Sequence, residues 1–398
     1  MGEGDGDLRH HLPQTRRPRS GTLRGVSALK RTALAGAKRV VVKIGTNALT
    51  NTTGRFHRPH FERLANELLE LATSRELIIV SSGAIALGVE RLGLAAKPKD
   101  IPGKQACAAV GQSRLMRAWE EALAPRIVAQ VLLTHSDVQD RRRYLNARHA
   151  LDRLITDRVV PVINENDTVS VDEIKFGDND TLAGLVAGLV SADALVILSD
   201  VDGLYDADPR THADAKLIST VEVVTRAMSN AAGDSGSSVG TGGMATKLRA
   251  AQQVTELGIR CVIAAGQKAG TLTRLFDGEL EGTLFEPQHG RRDARHAWIA
   301  HALKPKGTLV VDSGARAAVM ERKKSLLPSG IREVKGNFSH GDPVDLSDEK
   351  GEVFARGLVA YGADELRKLA GKRTTQIEAT LGYRGLDEAV HRDDLATL

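Results

Sequence analysis

Six short segments carry the side chains able to do chemistry: Lys43, Thr46 and Asn47 in "VVKIGTNAL", Ser81 and Ser82 in "IIVSSGAIALG", Asn164, Asn166 and Asp167 in "PVINENDTV", Asn179 and Asp180 in "FGDNDTLAGLVAGLV", Ser199 and Asp200 in "VILSDVDG", and Lys247 closing "GTGGMATK". The "GDND" at 177–180 sets two aspartates directly before a long apolar run. A carboxylate entering a core must be paired with cations. Lys43 and Lys247, on distant segments, with Asp180 to orient them, meet the needs of phosphoryl transfer, which asks for positive charge around the moving group and little covalent help. An alcohol acceptor would also want a general base. A carboxylate acceptor, with a pKa of about 4.3, is already ionised at neutral pH and wants none. None of the six segments contains a histidine.

These residues need a scaffold, and the pattern supplies one. From about 39 to 285, "VVVKI", "LIIVSS", "IVAQVLL", "VVPVIN", "ALVILS" and "CVIAA" read as strands buried on both faces, and segments of helical periodicity separate them. Repeated strand–helix units predict an α/β domain, an open and mostly parallel sheet in an αβα sandwich. Ligands of such sheets bind where strands end and lead into helices, which is where the six segments lie. Glycine at those turns lets backbone approach a ligand, and the following helix N-terminus favours an anion. Gly240, Gly242 and Ala245 match the dinucleotide fingerprint in form, but no strand pattern precedes them and no acidic residue follows about 20 positions on. No P-loop occurs. Pro161 cannot donate to a ladder, which predicts a place near an edge or at a bulge for it.

Residues 286–304 form a His- and Arg-rich linker, after which short strands and Gly turns, with little helix before Asp364, predict a small β-rich domain over 305–375 and a tail over 376–398. The net charge of +5 is misleading: nine basic and three acidic residues precede Val40, so the remainder carries −1. Residues 1–38 lack hydrophobic periodicity and the apolar stretch of a signal peptide, and read as a disordered, nonfunctional basic leader. The longest apolar stretch, Leu182 to Leu198, is broken by Asp193 and falls short of a membrane span. Cys107 and Cys261 fit neither a disulfide framework nor a zinc site, and predict a reducing, cytoplasmic setting.

The six segments, together with "AAVGQSRLMRAWE", "SLLPSGIREVKGNFSHGD" and "LGYRGLDEAVHRDDL", resemble the glutamate 5-kinases of the amino-acid kinase family, from about Val40 to Leu398. The resemblance implies that ATP, with Mg²⁺ on its phosphates, phosphorylates the side-chain carboxylate of L-glutamate at the start of proline biosynthesis. It implies catalysis by Lys43 and Lys247 with Asp180 holding both, and glutamate binding by Ser82, Asp167 and Asn179. The nucleotide would be lined by Lys43, Ser199, Asp200, Thr241, Gly242, Gly243, Met244, Ala245, Thr246 and Lys247; no metal ligand is assigned. It further implies inhibition by proline, a functional link to γ-glutamyl phosphate reductase and a homo-oligomer. Thr46, Asn47 and Ser199 depart from the family's usual residues, and the leader has no counterpart. The small domain resembles the PUA module of RNA-modifying enzymes; its basic cluster Arg322, Lys323 and Lys324 has no aromatic stacking set beside it. Two other readings stay open: the same fold with acetylglutamate, aspartate or a nucleotide as acceptor, and an RNA-binding protein acting through 305–375.

Overall fold

The computed structural model describes residues 31–51, 53–170, 179–226, 228, 229, 243–287, 289, 290, 296, 299, 300 and 303–398. Eight strands build the large sheet: β1 (Arg39–Ile44), β2 (Glu76–Ser81), β3 (Val128–Leu133), β4 (Val160–Glu165), β5 (Ala194–Ser199), β6 (Thr220–Val221), β7 (Arg260–Ala265) and β8 (Thr283–Phe285). Their order is β3-β4-β2-β1-β5-β7-β8-β6, parallel throughout except where β8 runs against β7. The central strands are apolar on both faces because each face is covered. Val40, Val42 and Ile44 of β1 point into one buried cluster with Phe61, Leu64 and Trp119. Val41 points into the other, with Leu182, Val186, Leu248 and Val254. Alternation therefore puts Lys43 on the Val41 face, the one carrying the helices Asn179–Leu189 and Met244–Glu256.

β3 does not follow the expectation of burial on both faces: it is the sheet edge, half-open along its length, with Ile127 just before it 68% exposed. Its apolar composition matched that of the interior strands, and only its place in the order decides its exposure. Pro161 lies one strand inside that edge. Its neighbour Val160 donates to the Ile127 carbonyl on the β3 side, so the missing N–H of Pro161 faces β2, whose pairing with β4 begins at Val162.

The helices Ala84–Arg91 and Ile101–Ala122 cross in close contact. A Cβ on Gly111 would sit 1.8 Å from the Ala84 carbonyl oxygen, and one on Gly88 would sit 1.8 Å from that of Cys107. Gly83, between β2 and the first of these helices, adopts φ 110°, a conformation that glycine reaches without strain.

Residues 31–38, assigned from sequence to the leader, are instead packed on the domain; residues 1–30 lie outside the described residues. Leu34 and Ala37 are buried in the core, and the Arg31 guanidinium donates to the carbonyls of Glu281 (2.6 Å), Ser219 (2.8 Å) and Gly282 (3.0 Å). A segment this short shows no periodicity, and its three acceptors come from about 190 to 250 positions away.

The second sheet comprises β9 (Gly307–Val311), β10 (Ile331–Gly336), β11 (Pro343–Ser347), β12 (Val353–Leu358) and β13 (Leu395–Thr397), in the order β10-β9-β11-β12-β13. Two features differ from expectation. Ser313–Met320 is helical, capped by Asp312, whose side chain accepts from the Ala315 N–H. The final residues, read as a tail, complete the sheet by pairing antiparallel to β12. Arg148 of the large domain contacts Asp394 at 3.1 Å, and His149 stacks on His340 with ring centroids 5.5 Å apart.

Candidate active site

The site forms at the C-terminal ends of β1, β2, β4 and β5. Asp180 opens the helix Asn179–Leu189 and is 1% exposed. The Lys43 ammonium lies 2.6 Å from its Oδ1 and that of Lys247 lies 3.3 Å from its Oδ2. The Thr246 hydroxyl lies 2.9 Å from the same Oδ2 and 2.8 Å from the Gly243 carbonyl. Burial alone would raise the Asp180 carboxyl, but the charges of Lys43 and Lys247 and the hydrogen bond from Thr246 outweigh it and hold the group down at about 2. One buried acid thus carries two cations brought from the first strand and from a helix some 200 residues on. The Gly177 and Asp178 that precede it lie outside the described residues.

Two polar groups flank this triad. On one side, Asn179 donates from Nδ2 to the Ser82 hydroxyl at 2.8 Å and to Asn164 Oδ1 at 3.3 Å. Ser82, Asn179, Asn164 and Asp167 line one cavity of about 530 Å³ together with Lys97 and Lys104. The crowded cavity wall pushes the Lys97 ammonium down, although the residue as a whole is exposed; Lys104 adds to the effect and Asp167 opposes it. Sequence reasoning missed both lysines: Lys97 sits in an irregular stretch and Lys104 in the first turn of the helix Ile101–Ala122, and neither belongs to a motif. A cavity of about 750 Å³ lies elsewhere, against the second sheet, and contains none of these groups.

On the other side, Ser199 donates to Asp200 Oδ1 at 2.9 Å and the Asn47 amide donates to Asp200 Oδ2 at 2.9 Å. Burial would raise the Asp200 carboxyl, yet these two bonds and the nearby Lys247 lower it. Gly243 begins the helix Met244–Glu256 with no side-chain cap, which leaves its first N–H groups without the usual oxygen partner. Met244 and Ala245 pack against the core, while Thr246 turns to Asp180. Thr241 and Gly242 lie outside the described residues. The described residues include no cluster of three or more His, Cys, Asp or Glu side chains able to hold a metal.

The arrangement can hold an anion between two ammonium groups, with an amide- and hydroxyl-lined cavity on one flank and a carboxylate-bearing turn on the other. The sequence profile described as the amino acid kinase family matches residues 38–265, and that of the PUA domain matches 307–381. A glutamate 5-kinase of Myxococcus xanthus is 66% identical over 92% of this chain and 98% of its own length. One from Anaeromyxobacter dehalogenans is 51% identical over 93% and 99%. Among solved structures, a carbamate kinase from Giardia lamblia bound to AMP-PNP aligns with TM-score 0.46 and 18% identity, over 64% of this chain and all of its own.

Proposed function

The chain belongs to the amino acid kinase family, and on that premise we propose that it uses ATP to phosphorylate the side-chain carboxylate of L-glutamate, forming L-glutamyl 5-phosphate at the start of proline biosynthesis. The observation that carries the mechanism is the pair of ammonium groups sharing Asp180, at 2.6 and 3.3 Å. As the γ-phosphoryl group moves, negative charge spreads over its oxygens, and two preorganised cations stabilise that charge without reorganising. Asp180 holds the cations in register and stays ionised at any working pH. Ser82, Asp167 and Asn179 bind glutamate, with the Asp167 carboxylate meeting the ammonium group. The acceptor carboxylate attacks directly, so no base is needed. Lys43, Ser199, Asp200 and the segment 241–247 bind the nucleotide. Mg²⁺, which neutralises phosphate charge, would ride on ATP.

The product is a labile acyl phosphate, which favours a functional link to a γ-glutamyl phosphate reductase that consumes it. Proline as inhibitor and a homo-oligomeric state belong to the same reading. Two buried, unpaired thiols, Cys107 and Cys261, support a reducing, cytoplasmic setting; no described helix is long and apolar enough to cross a membrane. The test is ADP release from Mg-ATP by pure protein, which should require glutamate and yield hydroxamate when hydroxylamine traps the acyl phosphate. Equal ADP release with and without glutamate would overturn the assignment.

A further inference from the structure

Behind the cavity, Asn179 is held by two further side-chain amides, Asn164 and Gln112, that the mechanism above does not use. Gln112, on the helix Ile101–Ala122, accepts through Oε1 from Asn164 Nδ2 at 2.9 Å. Asn164, 3% exposed at the end of β4, accepts through Oδ1 from Asn179 Nδ2 at 3.3 Å. Asn179 Nδ2 also donates to Ser82 Oγ at 2.8 Å. A primary amide carries donors on one side and an acceptor on the other, so each orientation dictates the next. With Gln112 presenting oxygen, Asn164 spends its nitrogen there and turns its oxygen to Asn179. Asn179 then spends its nitrogen on Asn164 and Ser82, which leaves its Oδ1 as an acceptor. Ser82, already accepting, has its own proton left to donate. The relay thus gives the cavity one hydroxyl donor and one amide acceptor, the pair that suits a carboxylate and an ammonium group on one substrate.

We propose that Gln112 is a positioning residue that sets this polarity and so the enzyme's recognition of a zwitterionic amino acid; the inference rests on the glutamate reading above. Gln112 Nε2 is buried without a hydrogen-bond partner among the described residues. Turning the amide over would satisfy that nitrogen but present N–H to Asn164 and reverse the chain down to Ser82. The unpaired nitrogen is the cost of keeping the productive polarity.

The experiment measures ADP release with glutamate varied and with ATP varied, for wild type, Gln112→Met and Gln112→Glu, alongside the ratio of kcat/KM for glutamate to that for glutarate, which lacks the ammonium group. Met keeps the length and removes the acceptor; Glu keeps an acceptor oxygen for Asn164 Nδ2 whether or not it is ionised. Gln112→Met should raise the glutamate KM about tenfold or more, leave the ATP KM within about twofold, and lower the glutamate-to-glutarate ratio, because a residual hydrogen-bond mismatch falls on the substrate alone. Gln112→Glu should stay within about threefold of wild type on all three. If Gln112→Met does not fold, Gln112→Ala is measured with the same expectation. An unchanged glutamate KM in the apolar variant, equal rises for both substrates, or a Gln112→Glu as impaired as Gln112→Met overturns the proposal. A wild type that shows no glutamate dependence overturns the functional reading itself, and the proposal with it.

Discussion

Asp180 is a buried ionised group held by two buried cations. A carboxylate at 1% exposure is costly unless paired, and replacing such a cluster with apolar groups often costs nothing in stability. Under the proposed function it supports two cations that must stay charged and in place. The two lysines differ in what their loss should do. Lys43 makes the shorter contact, at 2.6 Å, and would remain with Thr246 to satisfy Asp180 if Lys247 were removed. Lys247→Ala is therefore expected to stay folded, with an unchanged circular dichroism spectrum, while kcat falls by about 10²–10³, the range for losing one preorganised charge donor. A rate near wild type would take Lys247 out of the mechanism.

At the level of elements, the cavity depends on two helices meeting where neither has a side chain. Gly111 faces the start of the helix Ala84–Arg91, which itself follows Ser82 and Gly83 directly. A methyl group at 111 would lie 1.8 Å from the Ala84 carbonyl oxygen and 2.6 Å from the Gly88 nitrogen, both backbone atoms that cannot rotate away. The helices must separate. Gly111→Ala should cost about 1–3 kcal/mol, the usual range for overpacking, read from the urea midpoint. Because the displaced helix carries the Ser82 turn, the glutamate KM should rise while the ATP KM holds; a stability loss with both constants unchanged would show that the crossing does not shape the site.

Across the whole molecule, the two sheets are tied by Arg148 and Asp394, at 3.1 and 3.2 Å, with side chains only 15% and 13% exposed. Leu358 and Ala396 of the second sheet bury against Ile299 and Ala300 of the connecting segment. Breaking one partner of a largely buried pair leaves an uncompensated charge, at a cost of about 3–5 kcal/mol when burial is complete and less here. Arg148→Ala should therefore split calorimetric unfolding into two transitions, the lower belonging to the C-terminal sheet. A single transition, shifted or not, would mean that the apolar contacts alone couple the halves.

The sequence by itself determined the kind of fold and the kind of reaction. Strand–helix alternation, Gly-rich strand ends, and two lysines with an aspartate at the mouth of an apolar helix are local signals, readable without knowing what lies beside them. Tertiary structure decided the rest. It made β3 the edge though its composition is that of an interior strand, and it folded residues 31–38 onto the domain because acceptors for Arg31 arrive from far along the chain. It turned Thr246 to Asp180, across 66 positions, and brought Gln112 to Asn164, across 52. A hydrogen bond depends on distance and angle in space, and a single threonine or glutamine leaves no periodic trace of the partner it will meet once the sheet has closed.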